Sequence, residues 1–232
     1  MLIKIGYLDF ILKECDEEEM DRADALVMSN YEKQEILLRK DLKNKLKIEM
    51  LLSEIVLLLA NHYKLGIYLS KPLSEDFDLL YTRFILTILY NNDWFLKYLN
   101  DLLNSEKISI TDKILFIMNR EFNYEEYPEK HRKINEKNGL VMFGAEENIL
   151  IAQRSNNWLK IDTIIHELTH LFFYMGNYEY PREEDFCNIF AIILTGFIKD
   201  NFDLIRYIKH DLFKKEENLK DKISVDLKVG IE

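Results

Sequence analysis

Residues 159–173 read LKIDTIIHELTHLFF, and residues 46–55 read LKIEMLLSEI. Both are helical in pattern, with apolar residues recurring three and four apart. Laid over one another at an offset of 113, Leu159-Lys160-Ile161-Asp162 falls on Leu46-Lys47-Ile48-Glu49. The two stretches then part: His166, Glu167 and His170 face Ser53, Glu54 and Leu57. The frame is shared, and the two histidines belong to one half only.

Working outward, the order of elements is read twice. ALVMSN (25–30) and QEILLR (34–39) predict a β-hairpin, followed by a helix from Lys43 to about Tyr63 with Leu46, Met50, Ile55 and Leu58 among its buried residues. GLVMFG (139–144) and NILIAQ (148–153) predict a second hairpin, followed by a helix over 159–175. Leu26-Val27-Met28 matches Leu140-Val141-Met142, Glu75-Asp76-Phe77 matches Glu184-Asp185-Phe186, and Ile85-Leu86-Thr87 matches Ile193-Leu194-Thr195. Residues 1–14 read as a strand, or a strand running into a helix. Lys71-Pro72 is expected to break the chain, with Ser74 capping a helix from Glu75 through Tyr90 and another following over Asp93–Leu103. In the second half Pro181 breaks the chain, and helices are expected over 183–200 and 202–213. The expected fold is α+β and helix-rich, with two tandem repeats, residues 1–105 and 106–232, each a small β-hairpin or sheet followed by helices.

Composition narrows the function classes. Only 7 Gly and 3 Pro in 232 residues disfavour a β-sandwich or barrel. A net charge of −10 makes nucleic acid a poor partner, since a phosphate backbone needs a basic face. Cys15 and Cys187 form neither a disulfide framework nor a CxxC site. The longest apolar run, residues 55–60, is far below membrane-spanning length, and residues 1–15 lack a cleavage signal. A cytoplasmic protein with reduced thiols is expected.

His166 and His170, four apart on a helix, lie on one face and can converge on a single Zn²⁺. Glu167 projects beside such an ion, where its carboxylate can take a proton from water. A third ligand is the discriminating test. Glu184 fits best: fourteen residues after His170, it opens a helix that can return antiparallel over the metal. Glu183 and Asp185 are adjacent alternatives that otherwise read as an acidic first turn. His210, His131 and His62 read as surface, loop and helix-end residues. Tyr174, Tyr178 and Tyr180 are candidates to stabilise a developing oxyanion, although aromatics this frequent are more often packing residues.

His166-Glu167-Leu168-Thr169-His170, with Glu184-Asp185-Phe186-Cys187-Asn188-Ile189-Phe190-Ala191 on the next helix, resembles the ImmA/IrrE family of zincin-like metallopeptidases, especially its short phage and prophage members. The resemblance spans about 139–200, and 25–92 in degenerate form. The chain departs from the family pattern in its short His-to-Glu interval and in having no Pro after Leu194. By that resemblance His166, His170 and Glu184 would bind zinc, and Glu167 would be the general base and acid. The expected activity is zinc-dependent hydrolysis of peptide bonds in a protein partner, with regulators as the theme, and with one live and one dead zincin-like half paired as an intramolecular pseudo-dimer. The rival is an inactive zincin-like module that binds a regulator. Glu167 speaks against it, since a structural zinc site needs four protein ligands and no base.

Overall fold

The computed structural model describes residues 1–20, 22, 24–69, 71–104, 108–128, 138–144, 147–153, 156–178 and 181–208. The protein is α+β, with two four-stranded sheets and about half of its residues helical. By contact it divides into two compact units, Met1–Leu51 with the chain from Ile198 onward, and Leu52–Phe197. The division at 105/106 read from the sequence follows the repeat of motifs; this one follows contact.

The first unit opens on a hairpin of β1 (Leu2–Ile5) and β2 (Leu8–Cys15), followed by a single 3-10 turn at Glu17–Glu19. Gly6, at φ 61, makes the two-residue turn possible. β3 (Val27–Asn30) and β4 (Glu35–Arg39) form the expected antiparallel pair. β4 also lies parallel to β2, giving the order β1-β2-β4-β3. Alternation puts Ile3, Ile5, Phe10, Ile36 and Leu38 inside with no exposed surface. The side chain of Asn201 brackets edge strand β1, accepting from Lys4 N at 2.6 Å and donating to Lys4 O at 2.9 Å.

In the second unit β5 (Lys113–Ile117) and β6 (Arg120–Pro128) form a hairpin that the sequence reading passed over. Its turn is Met118-Asn119, both left-handed at φ 45 and 67. KILFI and EFNYEEY flanking Met-Asn were the available signal. With β7 (Gly139–Met142) and β8 (Asn148–Gln153) they make a sheet of order β5-β6-β8-β7. The pairing senses are those of the first sheet, and so is the register. Val27↔Leu38 and Asn30↔Glu35 recur as Gly139↔Ile151 and Met142↔Asn148, 112 residues on along one strand and 113 along the other. This ladder sets Met28 against Leu140, two residues from the match suggested by Leu-Val-Met alone. A two-residue slip keeps every side chain on its own face, which is why apolar pattern could not detect it.

α1 (Asn44–His62) and α4 (Asn157–Met175) are each 19 residues long. The buried stripe of α1 includes Ile48, Leu51, Ile55 and Leu58, whereas Leu46 is 37% exposed. α2 (Lys71–Asn91) starts before Ser74 and takes Pro72 into its first turn, where a missing N–H costs nothing. α3 (Asp93–Leu103) and α5 (Glu183–Asp200) have the expected bounds. Residues 202–208 are helical; the rest of the helix expected to 213 lies outside the described residues. No helix of the described residues is long and apolar enough to cross a membrane.

Aromatic rings fill the core of the second unit. Phe77, Tyr81 and Phe84 of α2 meet Phe172 of α4 at ring centroids 5.7, 5.3 and 5.6 Å apart, and Phe77 and Tyr81 also meet Phe190 of α5. These edge-on contacts fix the side of α4 that faces inward, and with it the side left for chemistry.

Candidate metal centre

α4 is capped by the Asn156 side chain, which accepts from Trp158 N at 2.9 Å. Inside the HELTH stretch Thr169 has no exposed surface; its hydroxyl bonds Ile165 O at 2.7 Å and meets the Tyr81 hydroxyl at 3.1 Å. With Leu168, Leu171 and Phe172 also buried, α4 cannot rotate, and His166 and His170 point into a cleft. Gly176 and left-handed Asn177 (φ 51) then end the helix and let the chain turn back into α5.

The Nε2 atoms of His166 and His170 lie 3.0 Å apart. The Glu184 carboxylate approaches the first at 3.7 Å and the second at 3.0 Å. A tetrahedral ion with bonds of about 2.0–2.2 Å holds its ligand atoms about 3.3–3.6 Å apart, so the three side chains fit one ion with little movement. Glu183 lies on the other side of the imidazole, 2.6 Å from His170 Nδ1. There it orients the ring and leaves Nε2 free to ligate. Asp185 pairs with Arg182 at 3.0 Å and takes no part. Asn188 donates to Glu184 Oε1 at 3.2 Å. Burial, and then the neighbouring His170, hold the His166 imidazole below its usual pKa while Glu184 opposes them; neutral imidazole is the form that binds metal.

Glu167 lines the same cleft and is only 5% exposed. β7 passes close over it at Gly139, where a Cβ would come within 2.6 Å of Glu167 Oε1 and 2.7 Å of Thr163 Cγ2. The sequence reading did not single out this glycine; a glycine opening a strand beside large apolar residues was the signal. Cys187, fully buried, has its thiol pushed up by burial and then by Glu183, Glu184 and Glu167. Among the described residues two groupings suit a metal ion: His166, His170 and Glu184, and a second of His170, Glu183 and Cys187.

The tyrosine candidates fall elsewhere. Tyr174 stacks on Phe143 at 3.8 Å between ring centroids and carries the Arg120 guanidinium over its face at 5.2 Å. Tyr178 packs against Gly176 and the Phe172 ring. His62 sits at the end of α1 with its ring against Tyr63. Tyr180, His131 and His210 lie outside the described residues.

At the corresponding place in the first half, the Ser53 hydroxyl donates to Asp78 Oδ2 at 2.6 Å, and Glu54 is buried. No protein-family model, no curated protein and no solved structure matches the chain.

Proposed function

We propose that the protein is a zinc-dependent peptidase of the zincin type, with His166, His170 and Glu184 as metal ligands and Glu167 as general base and acid. The observation that carries this reading is the triangle of Nε2, Nε2 and carboxylate at 3.0, 3.0 and 3.7 Å, with a second carboxylate, that of Glu167, buried in the same cleft. Three ligands leave one position of a tetrahedral ion open. Zinc held there would supply Lewis acidity, enough for a carboxylate to deprotonate water near neutral pH. Glu167, buried in the same cleft, would hold that proton on its carboxylate and pass it to the leaving amine. Glu183 fixes the His170 tautomer, and Asn188 steadies Glu184. β7 is an edge strand among the described residues, so an extended peptide can pair along it and pass its carbonyl beside Glu167.

The first half is read as a degenerate copy by tandem duplication. Support comes from the common strand order and register and from two pairs of contacts. Lys47 reaches Glu14 at 3.1 Å, and Lys160 reaches Glu126 at 2.9 Å, the helix positions 113 and the strand positions 112 residues apart. Asn201 brackets β1, and Asn92 brackets β5 in the same way, donating to Phe116 O and accepting from Phe116 N. Each copy therefore sends its asparagine to the sheet of the other, as exchange between two ancestral chains would leave it.

The test is metal content with cleavage. Purified protein is expected to carry about one zinc per chain, lost in His166→Ala, while Glu167→Gln keeps the metal and loses cleavage by about 10²-fold or more. Zinc retained with no cleavage of any peptide by the parent protein would instead mark a metal-containing binding module.

A further inference from the structure

The cleft that holds the histidine pair does not end at it. A volume of about 540 Å³ runs along α4 as far as Asp162, one helical turn before His166 on the same face. β7 lines it with Gly139 and Val141, joined by Phe143 just beyond the strand, whereas the Leu140 side chain packs on the other face of the sheet against Leu150 and Ala152. Its polar groups are Asp162, Glu167 and Glu184, the neutral amides of Asn138 and Asn188, Thr163 and the histidines; no lysine or arginine is among the described residues lining it. Asp162 is half-buried and forms no ion pair among the described residues. A cleft with no cation in its described lining, reaching a carboxylate that has no cationic partner among the described residues, suits a side chain with a cationic end.

We propose that Asp162 sets substrate choice, selecting a lysine or arginine side chain next to the bond presented to the metal centre. This rests on the peptidase reading for the meaning of the cleft, but not for its test. Glu167 and Glu184 have work at the metal, so Asp162 is the carboxylate left to recognise the cation. A glutamate in the same place would meet the like charge of Asp162, which disfavours acidic peptides.

The experiment uses the full chain, zinc-loaded and carrying Glu167→Gln, with hexapeptides that place a single lysine, norleucine or glutamate at each position in turn. Binding is read by calorimetry. At one position the lysine peptide is expected to bind about tenfold tighter than its norleucine counterpart, the effect of one hydrogen-bonded charge. Adding Asp162→Asn should abolish that difference, and Asp162→Lys should turn the preference toward glutamate. Equal binding of lysine and norleucine peptides at every position, no binding of any, or a lysine preference that survives Asp162→Asn overturns the assignment. The parent protein is then given the same peptides. Cleavage without preference leaves the peptidase reading standing and the specificity assignment fallen. An Asp162-dependent binding preference without cleavage does the reverse.

Discussion

At the scale of single residues, three carboxylates within one turn of α5 have three different positions. Glu184 faces both Nε2 atoms, Glu183 faces Nδ1, and Asp185 faces Arg182. Glu184→Ala should therefore lose zinc, whereas Glu183→Gln should keep it with affinity lowered about 10–100-fold, measured by competition with a chelator. Gly139→Ala should keep zinc and lose cleavage, because the added methyl group meets Glu167 rather than a ligand. Asp162 makes a prediction about pH. Burial raises its pKa above the ordinary 3.8, against the opposing pull of the Thr195 hydroxyl. A carboxyl raised on folding favours the folded state while protonated, and that contribution is lost as pH rises through the folded pKa. Asp162→Asn should accordingly melt above the parent at pH 7, and the gap should close as the pH falls to about 3.8 and below. A gap that widened in acid would contradict the sign.

At the scale of elements, α4 is held to its sheet and to α3 by a buried polar network. Lys160 Nζ reaches Glu126 Oε2 at 2.9 Å and Ile108 O at 2.8 Å; Tyr98 donates to the other oxygen of Glu126, and Tyr124 meets Tyr98. The Lys160 and Glu126 side chains are 3% and 0% exposed. Lys160→Met strands a buried carboxylate and should cost about 3–5 kcal/mol by denaturant unfolding, much of it recovered when Glu126 is also made apolar. The same pair in the first half, Lys47 and Glu14, leaves the glutamate 45% exposed, and Lys47→Met should cost about 1 kcal/mol or less. The pairing recurs, but its burial does not.

At the scale of the whole molecule, the sequence divides one way and the contacts another. α2 comes before residue 105, yet Phe77, Tyr81 and Phe84 are 1–2% exposed against the rings of α4 and α5. Residues 106–232 expressed alone would lose those partners of Phe172 and Phe190, and should lack the near-ultraviolet signal of packed aromatics. A fragment beginning near Leu52 should fare better. Cooperative unfolding of 106–232 with a sharp aromatic signal would refute this.

How much was legible in the sequence depends on the range of the interaction concerned. Helix bounds at 93–103 and 183–200, the hairpins β3–β4 and β7–β8, and the placing of His166 and His170 on one face all follow from local periodicity and capping. So does the absence of both histidines from the first half. The β5–β6 hairpin was passed over although EFNYEEY alternates as a strand does, because its turn is Met-Asn rather than Asn-Gly.

What the sequence determined by itself was a helix bearing two imidazoles and a glutamate on a fixed period, and a second helix opening on three acids. The tertiary structure alone decided which acid meets the two Nε2 atoms, that a glycine in β7 lets the strand pass over Glu167, and that Asp162 lines the same cleft. The reason is geometric: periodicity sets which face a side chain occupies, while the distance between faces depends on packing from residues far away in the chain, such as Tyr81 behind Thr169.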